Sequence, residues 1–290
     1  MIGPQKRRNN HPPIGHTLSI DRQNPYAHGL RALFPFFNPA QHCRNLAHPS
    51  RPDPAMFDAN PGLFHQKTSM GMAIGPNQAS PGDNDIIENC MPDVNVIRGT
   101  LAVRYEVHCE TSTQIQVFSL SSVGQSDGVH LIHDGYAGRK ARFAYKYDYT
   151  YPNIRPGPLT GNDGWHILVG TFEFLSTTVS LNAWLKDSSG IYTDSGTPSA
   201  LVWDTPPVQV DVGYSGDAAN YARVIDARYW DYILPDSMCE ALLDSAVYWD
   251  LYEIPTYRFI SIPADVGAVG LPSRRATARG IMRGVGRGVG

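Results

Sequence analysis

Residues 163–185 read DGWHILVGTFEFLSTTVSLNAWL, and the spacing of apolar residues along them decides the fold. Two β-rich segments, Trp165 to Phe174 and Thr177 to Leu185, meet at the polar residues Ser176 to Thr178. Runs of β-branched and aromatic residues bounded by turn formers read as strands, and two such runs joined by a short polar break read as an antiparallel hairpin. In the second segment Val179, Leu181, Ala183 and Leu185 share one face, while Ser180, Asn182 and Trp184 share the other, because successive strand side chains point to opposite faces. The hairpin belongs near the middle of a β-sandwich, with Trp165, Phe172, Leu181 and Leu185 in its core.

The pattern continues on both sides. Upstream, Thr100 to Cys109 alternates so that Leu101, Val103, Tyr105 and Val107 share a face and Arg104, Glu106 and His108 the other, the signature of a half-buried strand. Thr113 to Ser119, Val129 to His133 and Arg142 to Tyr149 read as three more strands. Downstream, Gly190 to Pro207 reads as a long polar connection, and Val208 to Tyr214 and Ala222 to Trp230 as strands. The period then switches: Ser237 with Glu240 forms a capping box, and Met238, Leu242, Ala246 and Trp249 recur at helical spacing, predicting one short amphipathic helix. Leu30 to Phe37 is an apolar run that Pro35 restricts to an edge or broken strand, and Asn38 to Asn95 is turn-dense.

The chain has 290 residues, with 27 glycines and 23 prolines spread as punctuation between short apolar runs, which favours a loop-rich β fold over disorder. The formal charge of −3 hides a division. Residues 1–20 carry Lys6, Arg7 and Arg8, residues 271–290 carry Arg274, Arg275, Arg279, Arg283 and Arg287, and neither segment holds an acid. Between them 16 bases face all 27 acids, a formal −11. An acidic body with two basic arms is suited to docking, because flexible cations find acidic surfaces at long range. The expected organisation is an extended arm over 1–25, a sandwich over 26–260 and an Arg/Gly-rich tail over 261–290. Cys43, Cys90, Cys109 and Cys239 are scattered without metal or redox spacing and read as buried thiols. No apolar run approaches membrane-spanning length and the N-terminus lacks a signal-peptide core, so synthesis in a bacterial-type cytoplasm fits.

Several segments together resemble the laminin-G-like, concanavalin A-like jelly roll: TLAVRYEV (100–107), QVFSL (116–120), DGWHILVGTF (163–172), VDVG (210–213) and ARVIDARYWDYILPDSMCEAL (222–242). Asp226, Arg228, Tyr229, Trp230, Leu234 and Pro235 match the family's closing segment. The resemblance covers roughly 95–253 and implies an all-β antiparallel sandwich with one short C-terminal helix. The turn after the second hairpin strand is rebuilt here as NAWLKDSSG (182–190), so the family's calcium or sugar site does not transfer to named positions. With the N-terminal stretch DRQNPYAHGL (21–30), the whole resembles tailed-phage structural proteins.

Sandwich glucanases of this resemblance use paired carboxylates spaced E-x-D-x-x-E, and no such spacing occurs, so no enzyme is expected. His166 reads as a strand histidine hydrogen-bonded at the sheet rim. Asp83 and Asp85, beside Pro81-Gly82, carry oxygens of the kind calcium takes, but such runs serve chiefly as turns, so no cofactor is expected beyond that candidate. Tyr145, Tyr147, Tyr149 and Tyr151 admit three uses: core packing, a protein interface, or a platform for glycans. The basic termini anchor on an acidic protein lattice rather than on nucleic acid. The expectation is a virion protein of decoration, head-fibre or tail-accessory type, assembled in the host cytoplasm. Its partners would be major capsid or other virion proteins and its own copies, with surface glycans bound by the outward jelly roll. The alternative is a stand-alone carbohydrate-binding module or degraded glycanase.

Overall fold

A computed structural model describes residues 17–38, 44–47, 56–57, 64–68, 71–75, 85–88, 94–109, 114–122, 127–134, 140–148, 150–157, 164–203, 207, 209–215 and 220–253. Of the two units into which contacts divide the chain, Met1–Pro255 holds every described residue, and Thr256–Gly290 lies outside them. In chain order the strands are β1 (Ser19–Ile20), β2 (Leu30–Phe34), β3 (Met56–Phe57), β4 (Phe64–Thr68), β5 (Gly71–Gly75), β6 (Asp85–Glu88), β7 (Arg98–Cys109), β8 (Gln114–Ser121) and β9 (Gly128–Asp134). They continue as β10 (Lys140–Lys146), β11 (Asn153–Ile154), β12 (Gly164–Leu175), β13 (Thr178–Lys186), β14 (Ile191–Gly196), β15 (Gln209–Ser215), β16 (Asn220–Trp230) and β17 (Tyr252–Glu253). Helices α1 (Asp236–Leu242) and α2 (Ser245–Trp249) precede the last strand.

The strands form two antiparallel sheets. One runs β11-β10-β9-β8-β15-β6-β3, and the other β14-β13-β12-β7-β16-β5-β4, with β2 also paired to β16. The central hairpin is β12 and β13, in register from Ile167↔Lys186 to Leu175↔Thr178. Its turn needs Ser176 at φ 67°, a left-handed conformation that costs an L residue roughly 1–2 kcal/mol. Val179, Leu181, Ala183 and Leu185 face the other sheet, packing with Leu101, Val103, Phe118, Leu131, Phe143 and Val210 in the main core. Glycine at 170 lets the sheets approach, since a Cβ there would lie 2.6 Å from the Phe143 ring.

A third layer covers the far face of the eight-stranded sheet. Leu18, Ile20, Leu30 and Leu33 from the N-terminal side and Leu242, Leu243, Tyr248 and Trp249 from the helices bury Ala102, Ile167, Val169, Trp184 and Trp230. Trp230 is fully buried and donates its indole N–H to Tyr26 O at 2.7 Å, so this large apolar surface is hidden without an unmet polar group. The D-x-R of the closing segment cements the layer. Arg228 Nε donates to Asp226 Oδ1 at 2.7 Å and Nη2 to Tyr248 O at 2.7 Å, with its guanidinium 3.7 Å from the Tyr248 ring centre. The Tyr252 hydroxyl donates to Asp226 Oδ2. Arg104 lies 5.2 Å from the Trp249 ring centre and 5.5 Å from that of Trp165.

This layer corrects several expectations. β7 is buried on both faces rather than half-buried: Arg104 is fully buried because the helices close over it. Residues 17–25 are not part of an extended arm, since β1 pairs with β17 and Leu18 and Ile20 are buried. The single helix is two. Pro235 stands at the cap of α1 with no side-chain cap bond, so the Ser237–Glu240 box does not form, and Asp244 starts α2 by accepting from Ala246 N. The connection after β13 contains β14, an edge strand whose residues alternate between exposed and half-buried. Among the described residues no helix is long and apolar enough to cross a membrane.

Candidate functional site

The face of the seven-stranded sheet turned away from the core carries a connected set of polar side chains. Alternation puts them there: Val210 and Val212 point into the core and leave Asp211 outward, as Phe118 and Leu120 do for Ser119 and Ser121, and Val129 and Leu131 for His130. Register then aligns them, because Asp211 pairs with Ser119 and Ser119 with His130 across adjacent strands. Asp211 Oδ2 accepts from Ser121 Oγ at 2.5 Å, Ser119 Oγ at 3.0 Å and Gln116 Nε2 at 3.4 Å, and Oδ1 accepts from Gln209 Nε2 at 3.2 Å. Gln116 Nε2 also donates to Ser119 Oγ at 2.6 Å, and Gln116 Oε1 lies 3.1 Å from His130 Nδ1.

Electrostatics follow from depth. Burial raises the Asp211 pKa, against the lowering effect of its hydrogen bonds from Ser121, Ser119 and Gln209. Burial, helped by nearby Lys146, pushes His130 down to about 3, so the imidazole is neutral at neutral pH. Solvent reaches this face at half-buried Gln116 and at Tyr151, which is 42% exposed. The Tyr151 ring centre lies 4.9 Å from Lys146 Nζ and 6.2 Å from the His130 ring. Farther along the same face, Asp134 pairs with Arg142 at 2.5 Å and Arg155 at 3.9 Å.

A second polar group sits inside the sandwich. His166 stacks on Tyr105, with ring centres 5.1 Å apart and planes at 16°, and lies 5.2 Å from the His133 ring, whose Nδ1 is 3.5 Å from the Tyr105 hydroxyl. Burial depresses His133 to about 3, with His166 adding to the effect, and His166 to about 4, against the opposing pull of Asp187. His166 is therefore an interior histidine rather than one at the rim. Among the described residues no group of three or more His, Cys, Asp and Glu is arranged to hold a metal ion. Asp83 lies outside the described residues, as does the side chain of Asp85, which opens β6.

The expected tyrosine row is divided. Tyr145 is fully buried and stacks on Trp203 with ring centres 4.7 Å apart, so it is core and not platform. Tyr147 is half-buried against the same core, and Tyr149 lies outside the described residues. β10 ends at Lys146, and a tight turn between Tyr147 and Thr150, with Asp148 at φ 39°, breaks the alternation; of the described tyrosines in the row, Tyr151 emerges beside Lys146. Lys6, Arg7, Arg8, Arg274, Arg275, Arg279, Arg283 and Arg287 lie outside the described residues, as do Cys43 and Cys90, while Cys239 is a buried free thiol whose pKa burial raises to about 12. The network of Gln116, Ser119, Ser121, His130 and Asp211 went unmarked in the sequence reading. Its signal was there as polar residues at outward positions of β8, β9 and β15, of which β15 joins the β8–β9 pair only through a long-range crossover.

No family model and no curated protein matches the chain. Solved structures do. The binding domain of botulinum neurotoxin DC, in complex with SialylT, has a TM-score of 0.52 at 10% identity, over 76% of this chain and 52% of that one. A Trypanosoma rangeli sialidase in complex with the inhibitor DANA has a TM-score of 0.43 at 13% identity, over 65% of this chain and 32% of its own. The Ruminococcus gnavus IT-sialidase CBM40 gives 0.38 at 11% identity, over 51% of this chain and 83% of its own. The chain thus spans about a third to a half of the first two matched chains. By fold, then, this chain is an antiparallel β-sandwich jelly roll.

Proposed function

We propose that the chain is a non-catalytic structural protein of a bacteriophage particle whose jelly roll binds glycans on the outer face of the seven-stranded sheet. The observation that carries the glycan reading is Tyr151, an exposed ring at the mouth of a buried hydrogen-bonding network. Sugars are held by an aromatic face together with fixed polar groups, and Tyr151, Gln116 and His130 supply that combination. The non-catalytic part draws support from the carboxylates of this face. Asp211 accepts four hydrogen bonds and Asp134 is paired with Arg142, so each is held in a structural role rather than poised as an acid or nucleophile. The neurotoxin binding domain of similar fold was solved with a sialylated ligand, which agrees with the class without fixing the position.

Particle attachment rests on the charge division, with basic residues 1–20 and 271–290 flanking a body of formal charge −11. On this reading the termini dock on acidic capsid or other virion proteins, copies of the chain associate, and the jelly roll faces outward. A glycan array probed with the full chain and with Tyr151→Ala tests the binding half: wild-type signal that the variant loses supports it, and wild-type silence refutes it. Deleting residues 1–16 and 271–290 tests the docking half, since undiminished incorporation into particles would leave the stand-alone carbohydrate-binding module as the better account.

A further inference from the structure

The network on the seven-stranded sheet has a direction. The Asp211 carboxylate gathers donors, so the Gln116 amide must turn its nitrogen toward Asp211 Oδ2 and Ser119 Oγ, at 3.4 and 2.6 Å. Its oxygen, Oε1, therefore faces His130 Nδ1 at 3.1 Å. An amide oxygen only accepts, so Nδ1 carries the imidazole proton, and in a neutral ring Nε2 is then a bare lone pair. That Nε2 is buried and, among the described residues, has no hydrogen-bond partner. A buried acceptor left unmet is destabilising, and this one is oriented by residues on two strands beside the exposed Tyr151 ring.

We infer that His130 Nε2 accepts a hydrogen bond from a ligand hydroxyl, making this face selective for neutral saccharides over carboxylated ones. The inference rests on the glycan-binding reading above. A hydroxyl can donate to the lone pair, whereas a carboxylate brings a second acceptor against it. Lys146 favours an anion at this face, but Asp211, the carboxylate that Lys146 stabilises there, opposes one. Tyr151 stacks on the sugar ring at the solvent side, and His130 reads one hydroxyl beneath it.

The test is NMR of the full chain carrying ¹⁵N-labelled histidine, titrated separately with lactose and maltose as neutral probes and with sialyllactose and glucuronic acid as carboxylated ones. The expected free-state spectrum has a protonated Nδ1 and a bare Nε2 at His130. A neutral probe then moves the Nε2 signal and binds about tenfold or more tightly than its carboxylated counterpart, a margin of one hydrogen bond. His130→Phe loses a similar factor for the neutral probe only, and Tyr151→Ala weakens both classes. A protonated Nε2 in the free protein overturns the inference without any ligand and even if His130→Phe fails to fold. Tighter binding of the carboxylated probes, or Tyr151 signals that move while Nε2 does not, overturns it while leaving the glycan reading intact. A buried water as the sole partner of Nε2, unmoved by every probe, overturns it too. No shift anywhere on this face with any saccharide removes the glycan reading itself, and the inference with it.

Discussion

Acidification should unfold this protein through its interior histidines well before its carboxylates titrate. His130, His133 and His166 are buried with pKa values depressed to about 3, 3 and 4, whereas an unfolded imidazole titrates near 6.5. Between about pH 6.5 and pH 4 the unfolded chain binds three protons that the folded chain refuses, so stability is fully present above 6.5 and falls with pH through that window. Each histidine contributes a slope of about 1.4 kcal/mol per pH unit, and three give about 4. At pH 5 the loss is roughly 2 kcal/mol per site and about 6 in total, comparable with the 5–15 kcal/mol that holds a typical domain together. Asp211 runs the other way. Its raised pKa means that its buried charge penalises the fold at neutral pH, and the penalty recedes as acid neutralises it toward the ordinary carboxylate range. Urea unfolding of the full chain, followed by tryptophan fluorescence from pH 8 to pH 5, measures the slope. His133→Gln should remove about a third of it. A stability that does not change between pH 7 and pH 5, or a slope that survives replacement of all three histidines, refutes the reasoning.

Three other outcomes follow from packing. Arg228→Ala strands Asp226 beneath the helices and should cost about 3–5 kcal/mol in urea unfolding, since removing one partner leaves a buried charge uncompensated. Gly170→Ala drives a methyl group to 2.6 Å from the Phe143 ring and should cost about 1–3 kcal/mol, visible as a lower thermal midpoint. Tyr145→Ala opens a cavity beside Trp203 and should cost about 3–5 kcal/mol, while Tyr151→Ala, at a 42% exposed ring, should stay within about 0.5 kcal/mol in the same assay.

What the sequence made legible was set by local periodicity. The β12–β13 hairpin, the broken strand at Pro35 and the β16 segment were readable because their apolar residues recur at the period of the element they form. Asp226 and Arg228 were picked out by resemblance, but their role in cementing the helices depends on Tyr248 and Tyr252, about twenty residues on and contiguous only in the fold. Arg104 was read as solvent-facing because its charge sits on the polar side of an alternating strand; the covering layer that buries it comes from residues 17–34 and 236–252. β14 was invisible for the opposite reason. IYTDSG buries little, and its strand character lies in backbone hydrogen bonds along a sheet edge. The polar site was missed because Asp211 lies 92 residues from Ser119 in the chain, and only the crossover that sets β15 beside β8 puts it in one row with Ser119 and His130 of the neighbouring β8 and β9 strands. The tyrosine row failed at one point, the turn at Asp148, which ended the alternation two residues after Lys146.

The account stands most directly on where a saccharide lands. Backbone and side-chain shift mapping of the full chain, titrated with an oligosaccharide selected on the glycan array, should concentrate perturbations at Gln116, His130, Lys146 and Tyr151, and Tyr151→Ala should weaken them. Perturbations confined to the β12–β13 hairpin or the helical layer, or a Tyr151→Ala variant that binds as wild type does, would contradict it.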